Sequence, residues 1–198
     1  MNKVLQLWRI ATHPRELRMA LSGLGVRLAG DDALGGLTDA ETAALVRWTK
    51  EPGVDAFVEI GTLFGLTART VARETGKRVV AVDNFCWNPF GLTQAQHEAF
   101  TRKILSGSGV ELVRGDAEPF LASLSGRMDP SGTLVFLDGS HAYADVKREI
   151  ELCKAQGAGI VAGHDFGNSR FGVTRAVREV FGEPDEVVGM CWLKRTAR

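Results

Sequence analysis

Two runs in the second half of the chain carry the residue types of acid-base and metal chemistry: Phe136-Leu-Asp138-Gly-Ser-His141 and Ala162-Gly-His164-Asp165-Phe166. If the apolar stretches before them are neighbouring strands, Asp138, His164 and Asp165 end side by side and could converge on one hard cation. Oxygen-rich ligation with one imidazole suits magnesium or manganese. His141 follows Asp138 by three residues. An imidazole, with an ordinary pKa of about 6.5, takes a hydroxyl proton at neutral pH more readily than an unperturbed lysine. His141 and Asp138 are therefore the candidate catalytic residues. Plainer roles remain open: Asp138 as a helix cap, His164 as a histidine bonded to a backbone carbonyl, Asp165 as a solvated loop group.

A second set points to a nucleoside. Glu59-Ile-Gly61-Thr62-Leu63-Phe-Gly65-Leu-Thr67 follows an apolar run, and Gly61 and Gly65 would let the backbone turn tightly against a bulky ligand. Glu59 is a hydrogen-bond acceptor at the strand end. Asp83 stands 22 residues beyond Gly61, where a carboxylate can accept from both hydroxyls of a ribose, with Asn84 beside it. Gly115-Asp116-Ala117 ends a third run, and Asp116 could bond an adenine amino group. Leu63 occupies the second position of a Gly-x-Gly-x-x-Gly loop, no basic residue stands between Glu59 and Thr67, and no triphosphate-binding glycine-lysine motif occurs. The spacing thus asks for a ribose and a base without a phosphate. Phe85, Trp87 and Phe90 make the loop after Asp83 unusually aromatic, either to cover a ligand or to anchor the loop. Tyr143 could line the acceptor site or pack, and His13 and His97 read as surface or packing residues.

These residues need elements to hold them. Ala56–Ile60, Arg78–Val82, Val110–Val113, Thr133–Leu137 and Gly159–Ala162 read as near-continuously apolar strands, as expected of a parallel sheet covered on both faces. Thr67–Arg73, Thr93–Leu105, Ala117–Leu124, Tyr143–Lys154 and Val173–Phe181 read as the helices between and after them, with Val146, Ile150 and Cys153 on one stripe. Thr38 with Glu41, and Thr93 with Gln96, have capping-box spacing. Glu186 to Lys194 reads as a terminal hairpin turning near Gly189. The predicted fold is α/β: a Rossmann-like, doubly wound, mostly parallel sheet with helices on both faces.

The chain of 198 residues, 44% apolar, suits one buried core. We divide it into a helical segment, residues 1–55, and a catalytic domain, 56–198. In the first, Leu5, Trp8 and Leu17 could form a lid, a homodimer contact or an amphipathic helix laid on the sheet. Lys plus Arg and Asp plus Glu are 24 each, so no net field favours nucleic acid or an anionic membrane. Cys86, Cys153 and Cys191 form no metal-binding pattern and read as reduced core residues. No membrane span or signal peptide is read, and the expected location is cytoplasmic.

Taken in order, Glu59-x-Gly61-x-x-x-Gly65, Asp83, Gly115-Asp116, Asp138-Gly-Ser-His141, Gly163-His-Asp165 and the helix start Gly172-Val-Thr-Arg-Ala-Val resemble the class I S-adenosylmethionine-dependent methyltransferases. Within them the chain is similar to the small O-methyltransferases that include the catechol and caffeoyl-CoA enzymes and the macrolide-sugar and cephalosporin-cluster proteins, over roughly residues 56–194. The resemblance implies seven strands and S-adenosylmethionine held by Glu59, Gly61, Thr62, Leu63, Gly65, Thr67, Asp83, Asn84, Asp116 and Ala117. It also implies methyl transfer to a hydroxyl of a small sugar or phenol, assisted by magnesium or manganese. The metal-dependent relatives carry aspartate, aspartate and asparagine or aspartate where this chain has Asp138, His164 and Asp165, so the imidazole shifts the expectation toward manganese, iron or no ion. A lysine stands at the position of His141 in the catechol-type enzymes. Two rivals remain, an NAD-type oxidoreductase and a non-catalytic S-adenosylmethionine-binding protein.

Overall fold

The computed structural model describes residues 37–87 and 92–196. Leu5, Trp8, Leu17, His13 and Phe90 lie outside the described residues. Seven strands form one sheet: β1 (Ala56–Ile60), β2 (Arg78–Asp83), β3 (Glu111–Arg114), β4 (Thr133–Leu137), β5 (Ile160–Gly163), β6 (Glu186–Val188) and β7 (Cys191–Arg195), in the order β3-β2-β1-β4-β5-β7-β6. The first five are parallel, β7 runs antiparallel to β5, and β6 pairs back on β7 through the expected turn at Gly189. From β1 the chain winds outward to β2 and β3, then crosses back to β4 on the other side. The switch point therefore falls between β1 and β4, where the loops after parallel strands part and open a crevice.

Helices α1 (Asp39–Thr49), α2 (Leu66–Thr75), α3 (Gln94–Leu105), α4 (Ala117–Ala122), α5 (Tyr143–Gln156) and α6 (Val173–Phe181) complete the described fold. Both capping boxes form: the Thr38 and Thr93 hydroxyls accept from the backbone N–H of Glu41 and Gln96, whose side chains accept in return from the cap N–H. Strand alternation divides the core. Phe57, Val79, Ala81, Leu134 and Phe136 pack under α1 and α2, whereas Val58, Ile60, Val80, Val135 and Val161 pack under α4, α5 and α6.

Differences from the expected boundaries are local. β3 begins at Glu111 rather than Val110, because Val80 pairs with Glu111, and as an edge strand it is only partly buried. β5 ends at Gly163 rather than Ala162. The helix expected over Ala117–Leu124 stops at Ala122 and continues as a turn of 3-10 helix over Leu124–Gly126. Cys153 and Cys191 are buried as expected of core thiols, but Cys86 is exposed, because it lies on the loop beyond β2 and not in the core.

The described part of the first 55 residues is packed on the sheet. Leu45 and Trp48 of α1 are fully buried, and the Trp48 indole N–H donates to Glu186 Oε2 at 2.9 Å. Arg195 of β7 pairs with Glu51 just beyond the helix, so α1 is tied to the terminal hairpin. No helix among the described residues is long and apolar enough to cross a membrane. Trp48→Ala should cost about 3–5 kcal/mol of unfolding free energy in urea titrations, the range for emptying a buried aromatic site. A loss under about 1 kcal/mol would show that α1 lies outside the cooperative core.

Candidate active site

A cleft of about 1550 Å³ opens at the carboxyl ends of the parallel strands, and the loop after each of them supplies part of its wall. Gly61 and Leu63 follow β1, Asp83 ends β2 with Asn84 after it, and Asp116 and Ala117 follow β3. Asp138 and His141 come from beyond β4, and His164 and Asp165 from beyond β5. The acid and histidine residues and part of the nucleoside set thus share one cavity.

The loop after β1 turns on alternate residues. Gly61, Leu63 and Gly65 have φ of 84°, 51° and 76°. A Cβ on Gly61 would run into the backbone of Asp138 and Gly139, so the site permits only glycine on two counts. Leu63, in the place of the second Rossmann glycine, takes the left-handed conformation nonetheless. Its N–H donates to Asp83 Oδ2 at 2.8 Å, and its carbonyl accepts from the Thr101 hydroxyl at 2.8 Å. Asp83 Oδ1 accepts from the Phe85 N–H at 2.6 Å, so this carboxylate ties two loops together and keeps a second lone pair on each oxygen. Asn84 donates to Asp116 Oδ1 at 2.8 Å and links the loops after β2 and β3.

Four further residues expected at the cofactor lie on the strand end, the loop and the first turn of α2. Glu59, Thr62, Gly65 and Thr67 are absent from the cleft wall. Strand alternation puts Glu59 on the face covered by α2, where it is buried and accepts from the Thr62 hydroxyl beneath the loop. Burial pushes its pKa up to about 8, against the pull of that hydrogen bond. The Glu59–Thr62 pair braces the loop from below.

The aromatic loop divides by residue. Phe85 is fully buried, its ring edge-on to His97 at 5.1 Å, whereas Trp87 stands in the cleft wall, 61% exposed. His97 is a core residue rather than a surface one, wedged also against Phe64, and burial lowers its pKa. Tyr143 is not in the wall: its hydroxyl donates to Glu179, and the Arg175 guanidinium lies 4.1 Å over its ring.

At the other end of the cleft the acid and histidine residues converge. His141 Nδ1 lies 3.2 Å from Asp165 Oδ2, and its ring stacks on Phe171 with centroids 4.5 Å apart. Burial lowers the His141 pKa below 6.5, partly countered by Asp165, so the ring is neutral at neutral pH. His164 Nδ1 faces Asp165 Oδ2 at 3.6 Å and Asp138 Oδ1 at 3.8 Å. Burial opposes a charge on His164, but Asp165, Asp138 and Glu41 outweigh it and lift its pKa to about 9. Asp138 goes up to about 8, first through burial, and holds a proton that the neighbouring carboxylates make hard to lose.

The ligating atoms of Asp138, His141 and Asp165 lie within 4.8 Å of one another. Two carboxylates with nearby imidazoles fit a divalent ion with some affinity for nitrogen, manganese before magnesium. Of the three residues expected for a metal, Asp138 and Asp165 group with His141, whereas His164 groups with Glu41 and Cys191 and turns its Nδ1 toward the two aspartates at 3.8 and 3.6 Å. The site also adds Glu41, which the sequence marked only as half of a capping box. Glu41 reaches from α1 into the cleft wall, with Oε1 3.4 Å from His164 Nε2.

A model of the methyltransferase domain matches residues 58–166, more than half of the chain. The chain belongs to that methyltransferase family. The methyltransferase is similar in structure to the calicheamicin methyltransferase CalS11, with a TM-score of 0.61 and 19% identity over 78% of this chain and 76% of that one. It is similar also to the O-methyltransferase TomG of Streptomyces achromogenes, solved with S-adenosylmethionine (TM-score 0.62, 16% identity, 91% and 90% covered). An O-methyltransferase from Bacillus cereus, solved with S-adenosylhomocysteine, matches with a TM-score of 0.54 and 16% identity over 84% and 76%. These likenesses establish the fold. No curated protein matches the sequence.

One buried acid of the methyltransferase's cleft gives a test of its electrostatics. Glu149 on α5 is 4% exposed, its Oε2 has no hydrogen-bond partner, and burial pushes its pKa up to about 8 from 4.5. A raised carboxyl pKa means the folded state holds the proton more tightly. Its stability contribution is full below pH 4.5 and is lost as pH rises through about 8. Glu149→Gln removes that dependence. The variant's stability relative to wild type should rise between pH 5 and about 9 and then level off. Parallel curves over that range would show that Glu149 ionises freely in the fold.

Proposed function

We propose that the protein transfers a methyl group from S-adenosylmethionine to a hydroxyl of a small acceptor, a sugar or a phenol. The observation that carries this reading is the His141–Asp165 pair: a neutral imidazole with one nitrogen held at 3.2 Å by a carboxylate, in the same cleft as the nucleoside-type loops. Asp165 faces Nδ1, which leaves Nε2 as the proton acceptor. The acceptor oxygen forms its bond to the methyl carbon as the carbon–sulfur bond breaks, and the hydroxyl proton passes to His141 Nε2. Asp83 serves the ribose hydroxyls, and Asp116 and Ala117 the base. The absence of a phosphate-wrapping loop, with Leu63 turned away from the usual glycine pattern, argues for this nucleoside over NAD. Asp138, Asp165 and His164 would hold a divalent ion, which when bound would lower the pKa of a coordinated hydroxyl. Phe171 keeps the His141 ring in place by stacking on it, and Trp87 offers an apolar face to the ligand side of the cleft.

Calorimetric titration should show binding of S-adenosylmethionine and S-adenosylhomocysteine and none of NAD; preference for NAD would sink the reading. In an acceptor screen with labelled cofactor, His141→Ala should lower kcat by about 10²–10⁴ with cofactor affinity nearly unchanged. The acidic limb of wild-type kcat should lie below pH 6.5, where the imidazole protonates, and should vanish in the variant. An unaltered kcat would remove His141 as the base.

A further inference from the structure

The carboxylate that faces His164 Nε2 comes from outside the part of the chain that matches the family model. Glu41 sits on the first turn of α1, and the match begins at residue 58. Its carboxylate is 2% exposed and fixed from two sides. Oε2 accepts from the Thr38 N–H at 2.8 Å in the capping box, and Oε1 accepts from the Met190 N–H at 2.6 Å in the β6–β7 turn. The turn closes on it so tightly that a Cβ on Gly189 would overlap Oε1. His164 presses on the same oxygen. Its side chain is 7% exposed, and its Nε2 has no hydrogen-bond partner, the facing group being Glu41 Oε1 at 3.4 Å. The other ring nitrogen, Nδ1, faces Asp165 and Asp138 at 3.6 and 3.8 Å.

A histidine that binds a metal through one nitrogen ordinarily gives its other N–H to a carboxylate, which sets ring orientation and raises ligand basicity. We infer that Glu41 is a positioning residue for a divalent-metal site: it receives the Nε2 side of His164 and so turns Nδ1 toward Asp138 and Asp165. This rests on the metal reading given above. It accounts for an imidazole where a third carboxylate was expected, because α1 and the terminal hairpin bring that carboxylate in behind the ring. Cys191 has its sulfur within 4.8 Å of the same Glu41 and His164 atoms, buried at the start of β7, and closes the pocket around the ring.

The test is Mn²⁺ titrated into chelator-treated protein, followed by the paramagnetic resonance signal of the free ion, with S-adenosylhomocysteine affinity measured in parallel. Glu41→Ala and the isosteric Glu41→Gln should each weaken Mn²⁺ binding about 10- to 100-fold and leave S-adenosylhomocysteine binding within about twofold. Thr38→Ala removes the hydroxyl half of the capping box and leaves Glu41 against His164. It should lower the melting temperature without changing Mn²⁺ affinity. Equal Mn²⁺ affinity in wild type and Glu41→Gln, or an equal loss in Thr38→Ala, overturns the inference while the metal reading stands. A wild type that takes up no Mn²⁺ overturns both.

Discussion

Where β1 and β4 part, two backbones touch, and the rest of the site depends on that contact. Gly61 donates its N–H to Val82 O and Asp138 donates its own to Ile60 O, each at 2.9 Å, so the first loop is stitched to the strands on both sides. The space between Gly61 and Gly139 admits no side chain. The loop that shapes the cofactor side and the aspartate of the acidic cluster therefore cannot move independently. Parallel strands alone would give a crevice, but this close approach sets how the two halves of the chemistry face each other across it.

A second constraint is charge. Glu41, Asp138 and Asp165 stand around His164 with little water to screen them, and one imidazolium cannot balance three carboxylates. The fold answers with backbone donors at Glu41, with the Asn168 amide donating to Asp165 at 2.9 Å, and with a proton retained by Asp138 up to about pH 8. His141 stays neutral because burial opposes its charge and His164 repels it, against the pull of Asp165. Its ring is stacked and half-buried, and the Asp165 charge beside it is shared with His164.

The strand order and the identity of the strand-end residues were legible because apolar runs covered on both faces leave a plain signature, and the ligand-bearing residues follow each run directly. Asp83, Asn84, Asp116, Asp138, His141, His164 and Asp165 all reach the one cleft. Glu59 reads the same in the sequence whether it faces a ligand or the helix beneath the loop, and its bond from the Thr62 hydroxyl comes to light only in the fold. Glu41 was hidden for a different reason. Its spacing from Thr38 is a complete local explanation, and nothing near it in the chain announces that Met190 and His164, about 150 and 120 residues away, will share its other oxygen. Contacts of that range become visible only when the hairpin has folded back beside β5. For His97 the sequence left surface and packing open, and Phe64 and Phe85 on other loops decide for packing.

The missing glycine at Leu63 carries the last step. Among the described residues, the non-glycine positions with positive φ are Leu63, Phe85 and Asp165, and each lies just beyond a parallel strand, at the cleft or next to it. A left-handed conformation costs a residue with a Cβ about 1–2 kcal/mol, so three in one site need support from their surroundings. Asp83 supplies it twice, through the N–H groups of Leu63 and Phe85, and Asn168 and His141 hold the carboxylate of Asp165. Leu63 can therefore replace a flexible glycine because its turn is imposed by Asp83 and Thr101 rather than left to the backbone. The consequence is chemical: the N–H of Leu63, at the place of the second glycine of the dinucleotide pattern, is spent on the Asp83 carboxylate and is not offered to a phosphate.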